Sequence, residues 1–105
     1  MVIEIDLELI KDCARQNQLW FTNHAVQRML ERVISDTEVQ EAIIKGEIIE
    51  SYPEDKYGPS CLIYGKTQAL RSLHIQCSVP PRVRIITVYE PDPHEWIDQR
   101  IRRKS

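Results

Sequence analysis

His24, His74 and His94 are the imidazoles of this chain, and imidazole is the side chain whose ordinary pKa lies nearest neutrality. His24 heads the run Phe21-Thr22-Asn23-His24-Ala25-Val26-Gln27-Arg28-Met29-Leu30-Glu31-Arg32-Val33, in which Arg28 and Arg32 follow at intervals of four. Residues four apart lie one above another on a helix, so the imidazole and both guanidiniums form a cationic ladder. Guanidiniums can clamp phosphate oxygens in bidentate fashion. A histidine in a first helical turn can remain neutral, since the positive end of the helix dipole disfavours the imidazolium, and a neutral imidazole is usable as a general base. The alternative is structural: His24 bonded to the preceding loop or a strand carbonyl, and Arg28 and Arg32 paired with Glu31 or Glu38 on a solvated flank.

His74 is a second centre, on a polar strand face with Arg82 and Arg84 close by in the next strand. Metal-free RNA cleavage needs a base for the 2′-hydroxyl proton, cations for the charge developing on phosphorus and an acid for the leaving oxygen. Histidine, arginine, lysine and tyrosine supply those roles, and Lys66, Tyr64 and Tyr89 sit near strand ends where they can join. The plainer reading of His74 is an exposed polar strand position. A metal site formed by the histidines and the strand cysteines lacks any Cys-x-x-Cys or His-x-x-x-His spacing, so no metal or other cofactor is expected. Glycine-rich phosphate loops, a serine elbow and a dinucleotide fingerprint are absent too.

The elements that must position these groups follow from periodicity and punctuation. Residues from about Ile5 to Asn17 form an amphipathic helix capped by Asp6, and Trp20 and Phe21 are expected as core anchors. Thr22 caps the organising helix, whose buried stripe is expected to hold Ala25, Val26, Met29, Leu30 and Val33. Ser35-Asp36-Thr37-Glu38 has the form of a capping box and opens a third helix, with Gly46 as a left-handed cap at its end. Beyond it the pattern turns to strands: Glu47 to Tyr52, Ser60 to Tyr64, Leu70 to Ser78 and Arg82 to Tyr89. Asp92-Pro93-His94-Glu95 then reads as the start of a closing helix with Trp96, Ile97 and Ile101 inward.

The expected fold is thus a single α+β domain, residues 1–105, with N-terminal helices packed on a four-stranded antiparallel meander and a C-terminal helix. A three-residue turn at Val79-Pro80-Pro81 would set Cys77 against Val83, Ile75 against Ile85 and Leu73 against Thr87. It leaves His74, Gln76, Arg82 and Arg84 on the opposite, open face.

The length suits one core. A net charge of −2 and a pI near 5.9 give no global attraction to polyanions. The charge is segregated, however: Lys66, Arg71, Arg82 and Arg84 face only Glu90 between positions 66 and 90, whereas Glu47, Glu50, Glu54 and Asp55 face only Lys56 between 47 and 65. No apolar run approaches the ~20 residues of a membrane span, and acids near the start disfavour a secretory signal, so a cytoplasmic location is expected. Cys13, Cys61 and Cys77 read as small buried hydrophobes rather than a disulfide framework.

The set Phe21-Thr22-x-His24-Ala25-x-x-Arg28-Met29-x-x-Arg32-x-Ile34-Ser35, Gly46-Glu47-Ile48-Ile49, a strand ending in Gly65, Leu73-His74, and Thr87-Val88-Tyr89-x-Pro91-Asp92 with Trp96 resembles the bacterial family called domain of unknown function 4258. The resemblance covers roughly residues 19 to 100 and implies a RelE-like fold and a toxin of a toxin–antitoxin pair, an endoribonuclease neutralised by a cognate antitoxin protein. Its motif residues here are His24, Arg28, Arg32, His74, Tyr89 and Trp96, and no settled catalytic assignment comes with them. RelE-type toxins are usually strongly basic, and this chain is not. The expectation taken forward is RNA, free or on the ribosome, as substrate, with His24, His74 and Tyr89 catalytic and Arg28, Arg32, Lys66, Arg82 and Arg84 on phosphate. An alanine at Arg28 or His74 is then expected to leave the thermal melt nearly unchanged. The alternative is a non-catalytic protein-interaction module on the same fold.

Overall fold

The structure is a computed structural model that describes residues 5–56 and 58–104. Residues 1–4, whose charge bears on export, lie outside the described residues. The elements run α1 (Leu7–Arg15), β1 (Leu19–Phe21), α2 (Asn23–Arg32), α3 (Asp36–Ile44), β2 (Glu47–Tyr52), β3 (Ser60–Lys66), β4 (Ser72–Ser78), β5 (Val83–Tyr89), β6 (Trp96–Ile97) and β7 (Ile101–Arg102). The fold is α+β, with three helices on a five-stranded mixed sheet of order β1-β5-β4-β3-β2.

The helices start where their caps require. Asp6 accepts from the amides of Glu8 and Leu9, Thr22 Oγ1 from Ala25, and Ser35 with Glu38 completes the reciprocal capping box. Helix α3 crosses β3 so closely that a Cβ on Gly65 would lie 1.8 Å from the Ala42 carbonyl oxygen. Gly46 answers the same crowding, with a Cβ there 2.6 Å from Ile63, and not the left-handed cap expected of it, since Lys45 closes the helix at φ −98°. Between helices and sheet lies a core that includes Ile10, Val39, Ile43, Ile63, Ile75 and Ile85.

Five further expectations are corrected. The sheet is not a four-stranded antiparallel meander: Leu19-Trp20-Phe21 adds a fifth strand, parallel to β5 with Trp20 opposite Arg84. Alternation along that strand turns Trp20 outward, 56% exposed, so it is no core anchor. The β4–β5 register differs, with Cys77 opposite Ile85 and Ile75 opposite Val88 around a bulge near Cys77. The bulge keeps apolar residues together while freeing Ile86 from the ladder. Helix α2 buries Ala25 and Met29 but leaves Val26, Leu30 and Val33 exposed.

The fifth correction concerns the C-terminus, which forms a β6–β7 hairpin in place of a helix. Asp92 does start a turn, accepting from Glu95 and Trp96, but the chain then drives Trp96 against the outer face of the sheet. Asp98 and Gln99, at φ 51° and 63°, make the reversal, and tertiary contact overrides the local helix signal.

Candidate functional site

The sheet's outer face, opposite the helices, carries Tyr64, His74 and Tyr89 side by side, since His74 is opposite both Tyr64 on β3 and Tyr89 on β5. This face is not open at His74. The imidazole is fully buried beneath Trp96, whose ring stands edge-on to it at 4.4 Å between centroids, with Tyr64 and Tyr89 edge-on at 5.8 and 5.2 Å. His74 Nε2 lies 2.6 Å from the Gln99 carbonyl oxygen. A carbonyl only accepts, so Nε2 carries the proton, and the lone pair on Nδ1 accepts from the Tyr89 hydroxyl at 3.3 Å. Burial holds the imidazole pKa below its ordinary value, against the pull of the Gln99 carbonyl and the Glu50 carboxylate. Burial likewise pushes the Tyr89 hydroxyl up.

The hairpin over His74 is fastened by arginines. Arg102 sits 4.5 Å from the Trp96 ring centroid and grips both oxygens of Glu50, through Nη2 at 3.0 Å and Nε at 3.3 Å. Burial pushes the Glu50 carboxyl up, but hydrogen bonds from Arg102 and Tyr52 outweigh it and leave the group below its usual range. Arg100 pairs with Glu47 and lies over Tyr64. His74 therefore has both ring nitrogens engaged and no open surface, which is the constitution of a fastening rather than of an acid or base.

His24 is placed differently. Thr22 fixes the first turn of α2 to β5: its amide donates to the Ile85 carbonyl at 3.1 Å and its hydroxyl to Ile86 at 3.4 Å. Ser78 Oγ fixes the β4–β5 turn, donating to the Arg82 carbonyl and accepting from the Arg84 amide. Between these anchors lies a groove of about 490 Å³ lined by Thr22, His24, Ser78, Arg84 and Ile86. The His24 imidazole is exposed, and no described residue hydrogen-bonds to it. A neighbouring hollow of about 580 Å³ is lined by Asn17, Gln18, Leu19, Trp20, Pro81 and Arg82. Among the described residues no carboxylate lines either one, whereas a third groove, beside Gln76, contains Glu54 and Asp55. Among the described residues Arg82 and Arg84 have no ion-pair partner, and the Arg82 guanidinium lies 4.8 Å from the Trp20 ring centroid.

The two expected centres thus do not share a cleft. Arg28 pairs with Glu31 at 2.9 Å, and Arg32 donates to the Val88 carbonyl at 2.9 Å, so both guanidiniums of the cationic ladder are engaged within the protein while His24 is not. Lys66 lies apart, in a groove with Lys45, Glu47 and Arg100. Trp20 was missed by sequence reading, although Leu19-Trp20-Phe21 holds the alternation that turns it outward. Arg71 was missed too. Its guanidinium reaches the Arg32 and Val33 carbonyls, Glu38 and Glu90, contacts scattered over nearly sixty positions that no local pattern signals. Among the described residues no three His, Cys, Asp or Glu side chains converge to hold a metal, and no helix is long and apolar enough to cross a membrane. Cys61 and Cys77 are cross-strand partners, buried and free, with sulfurs 4.0 Å apart.

Fold and site define a small α+β domain with a histidine sealed under a C-terminal hairpin and an acid-free groove at the opposite edge of the sheet from β2. The family model described as Domain of unknown function (DUF4258) matches residues 21–90, and the chain belongs to that family. The matched region holds His24, His74, Arg84 and Tyr89 and stops short of the hairpin. No curated protein and no solved structure matches the chain.

Proposed function

We propose that this protein is a RelE-like endoribonuclease, the toxin of a toxin–antitoxin pair, cleaving RNA by metal-free transesterification in the groove shared by His24 and Arg84. The observation that carries this reading is an imidazole and a guanidinium that line one groove and, among the described residues, have no hydrogen-bonding or ion-pair partner on their side chains and no carboxylate beside them. An acidic chain repels RNA on average, but phosphate contact is local, and an acid-free edge is where a strand can approach. His24 takes the 2′-hydroxyl proton, and the 2′-oxygen attacks the adjacent phosphorus. Arg84 donates to the non-bridging oxygens as charge builds on them. The bond to the 5′-oxygen breaks, and that oxygen takes a proton from the imidazolium, leaving a 2′,3′-cyclic phosphate and a 5′-hydroxyl. His74 and Tyr89 hold the hairpin and take no part.

Purified protein in the presence of a chelator should cleave RNA, free or in ribosomes, to cyclic-phosphate ends. His24→Ala and Arg84→Ala should each lose cleavage and growth inhibition. Full activity in His24→Ala, or no cleavage of either substrate by the unaltered protein, overturns the reading.

A second reading, a non-catalytic protein-interaction module, is favoured by Val26, Leu30 and Val33, which stand 43%, 76% and 80% exposed along one stripe of α2. In the toxin reading the same stripe is available to an antitoxin. Co-expression with the adjacent gene separates the two: relief of growth arrest supports the toxin, and a stable complex from a chain that never arrests growth supports the module.

A further inference from the structure

Trp20 is not placed by the core. Its neighbours Leu19 and Phe21 pack against the core, while the indole, on the edge strand β1, stays 56% exposed. The Arg82 guanidinium already lies over the ring, so the exposed area is what remains after that contact. Ladder pairing sets Trp20 directly beside Arg84, the guanidinium of the His24 groove, one strand spacing away. The hollow around the indole has no carboxylate, and the Gln18 side chain on its wall is hydrogen-bonded by no described residue.

A flat exposed ring, a cation against it and a neighbouring phosphate-type site are the parts of a single-strand nucleic-acid platform, in which a base stacks on the aromatic face while its backbone lies on guanidiniums. We propose that Trp20 is the stacking platform for one unpaired nucleobase of the strand whose phosphate lies at Arg84, with the Gln18 amide within reach of the base edge. The ligand is therefore single-stranded: in a duplex both faces of each base are already covered by neighbours. This rests on the reading of the His24–Arg84 groove as a phosphate site, and it adds the part that holds the base.

The test measures affinity of the full chain for a short unstructured RNA, for the same RNA with each position made abasic in turn, and for its duplex. Binding is followed by the anisotropy of a dye attached to the RNA, a signal that survives removal of the indole; in the unaltered protein, quenching of the exposed Trp20 gives a second readout, since Trp96, the chain's other tryptophan, is buried. Loss of stacking on an aromatic platform typically weakens binding by about 5- to 150-fold on change to alanine. Trp20→Ala should fall in that range and Trp20→Phe should keep most of the affinity. One abasic position should weaken the unaltered protein but not Trp20→Ala, and the duplex should bind poorly. If Trp20→Ala and every abasic RNA bind like the originals while Arg84→Ala still weakens binding, the platform is refuted and the phosphate site stands. If no RNA binds and Arg84→Ala changes nothing, both readings fall. Shielding of Trp20 by a co-expressed protein, without RNA binding, also refutes the platform. Should Trp20→Ala fail to fold, the abasic series on the unaltered protein decides alone.

Discussion

His74 and His24 are the same side chain in opposite circumstances. His74 is central in the sheet, ringed by three aromatics, with one nitrogen donating to a carbonyl and the other accepting from a tyrosine. His24 stands at the sheet's edge with neither nitrogen engaged by a described residue. What separates them is the hairpin. Its few residues place Trp96 and the Gln99 carbonyl on His74 and convert an otherwise open polar strand face into a second, smaller core. A histidine with satisfied neighbours contributes to stability, and one without them remains available for chemistry.

The largest break in that comparison is His74→Ala. It empties a filled site and strands the Gln99 carbonyl and the Tyr89 hydroxyl, at a cost of about 2–4 kcal/mol. For a chain of this size that is a fall in Tm of roughly 10–20 °C, contrary to the unchanged melt expected from the sequence. His24→Ala, exposed and unpartnered, should stay within about 0.5 kcal/mol. Equal melts for the two variants would mean that the hairpin does not seal His74. pH gives a second measure. The His74 pKa is lowered in the fold, so the unfolded chain binds the proton first. Its contribution is fully present above the ordinary imidazole value of about 6.5 and is lost as pH falls from there through the folded value. Glu50, held below its usual range, adds a loss of the same sign at lower pH, beneath the ordinary carboxylate range. Thermal melts of the unaltered protein should decline between about pH 7 and pH 5, and His74→Gln should flatten that decline. A decline that survives His74→Gln would assign it to other groups.

Arg71 tests whether His24 depends on the rest of α2. Its Nη1 donates to the Val33 carbonyl at 2.7 Å and its Nη2 to Arg32 at 2.9 Å, while Glu38 and Glu90 neutralise it. One planar group thus ties the end of α2, the first turn of α3 and the end of β5. Arg71→Ala should cost about 1–3 kcal/mol, and Arg71→Lys should recover little, because one ammonium cannot span the same partners. With the far end of α2 released, the NMR ring signals of His24 should shift while those of His74 hold. Movement of both would show that the two regions are coupled.

The parts of this arrangement legible in the sequence are those written locally. Asp6, Thr22 and the Ser35–Glu38 pair cap helices where expected, and the four long strands fall within a residue or two of their expected bounds. What was not legible depends on distant partners. Leu19-Trp20-Phe21 is too short to announce a strand and becomes one through the edge of β5. Asp92-Pro93-His94-Glu95 states a helix start as clearly as Ser35–Glu38 does, and Trp96 overrules it because burial on His74 outweighs a cap. His24 was assigned its helix turn correctly. Its separation from His74 was hidden because the sequence does not say which face of the sheet the C-terminal residues will cover.

The smallest effect expected comes at the end of α2, where Val33 stands in left-handed backbone, φ 53° and ψ 55°. Its amide donates to the Leu30 carbonyl and that of Ile34 to Met29, the paired hydrogen bonds of a Schellman ending, with Met29 and Ile34 both buried. A β-branched residue is disfavoured there, and Val33 is 80% exposed, so it recovers little by burial. Val33→Gly should therefore raise stability by about 0.5–1 kcal/mol, the relief of left-handed strain less the chain entropy of glycine, read from denaturant midpoints. The cleavage proposed for His24 should not change, since the groove lies at the other end of the helix. A valine kept in an unfavourable conformation, beside Leu30 on an uncovered stripe, fits a surface that meets a partner. If the proposed antitoxin docks on this stripe, the same variant should weaken that complex even as it steadies the free protein, and a complex left at full strength would show that the partner binds elsewhere.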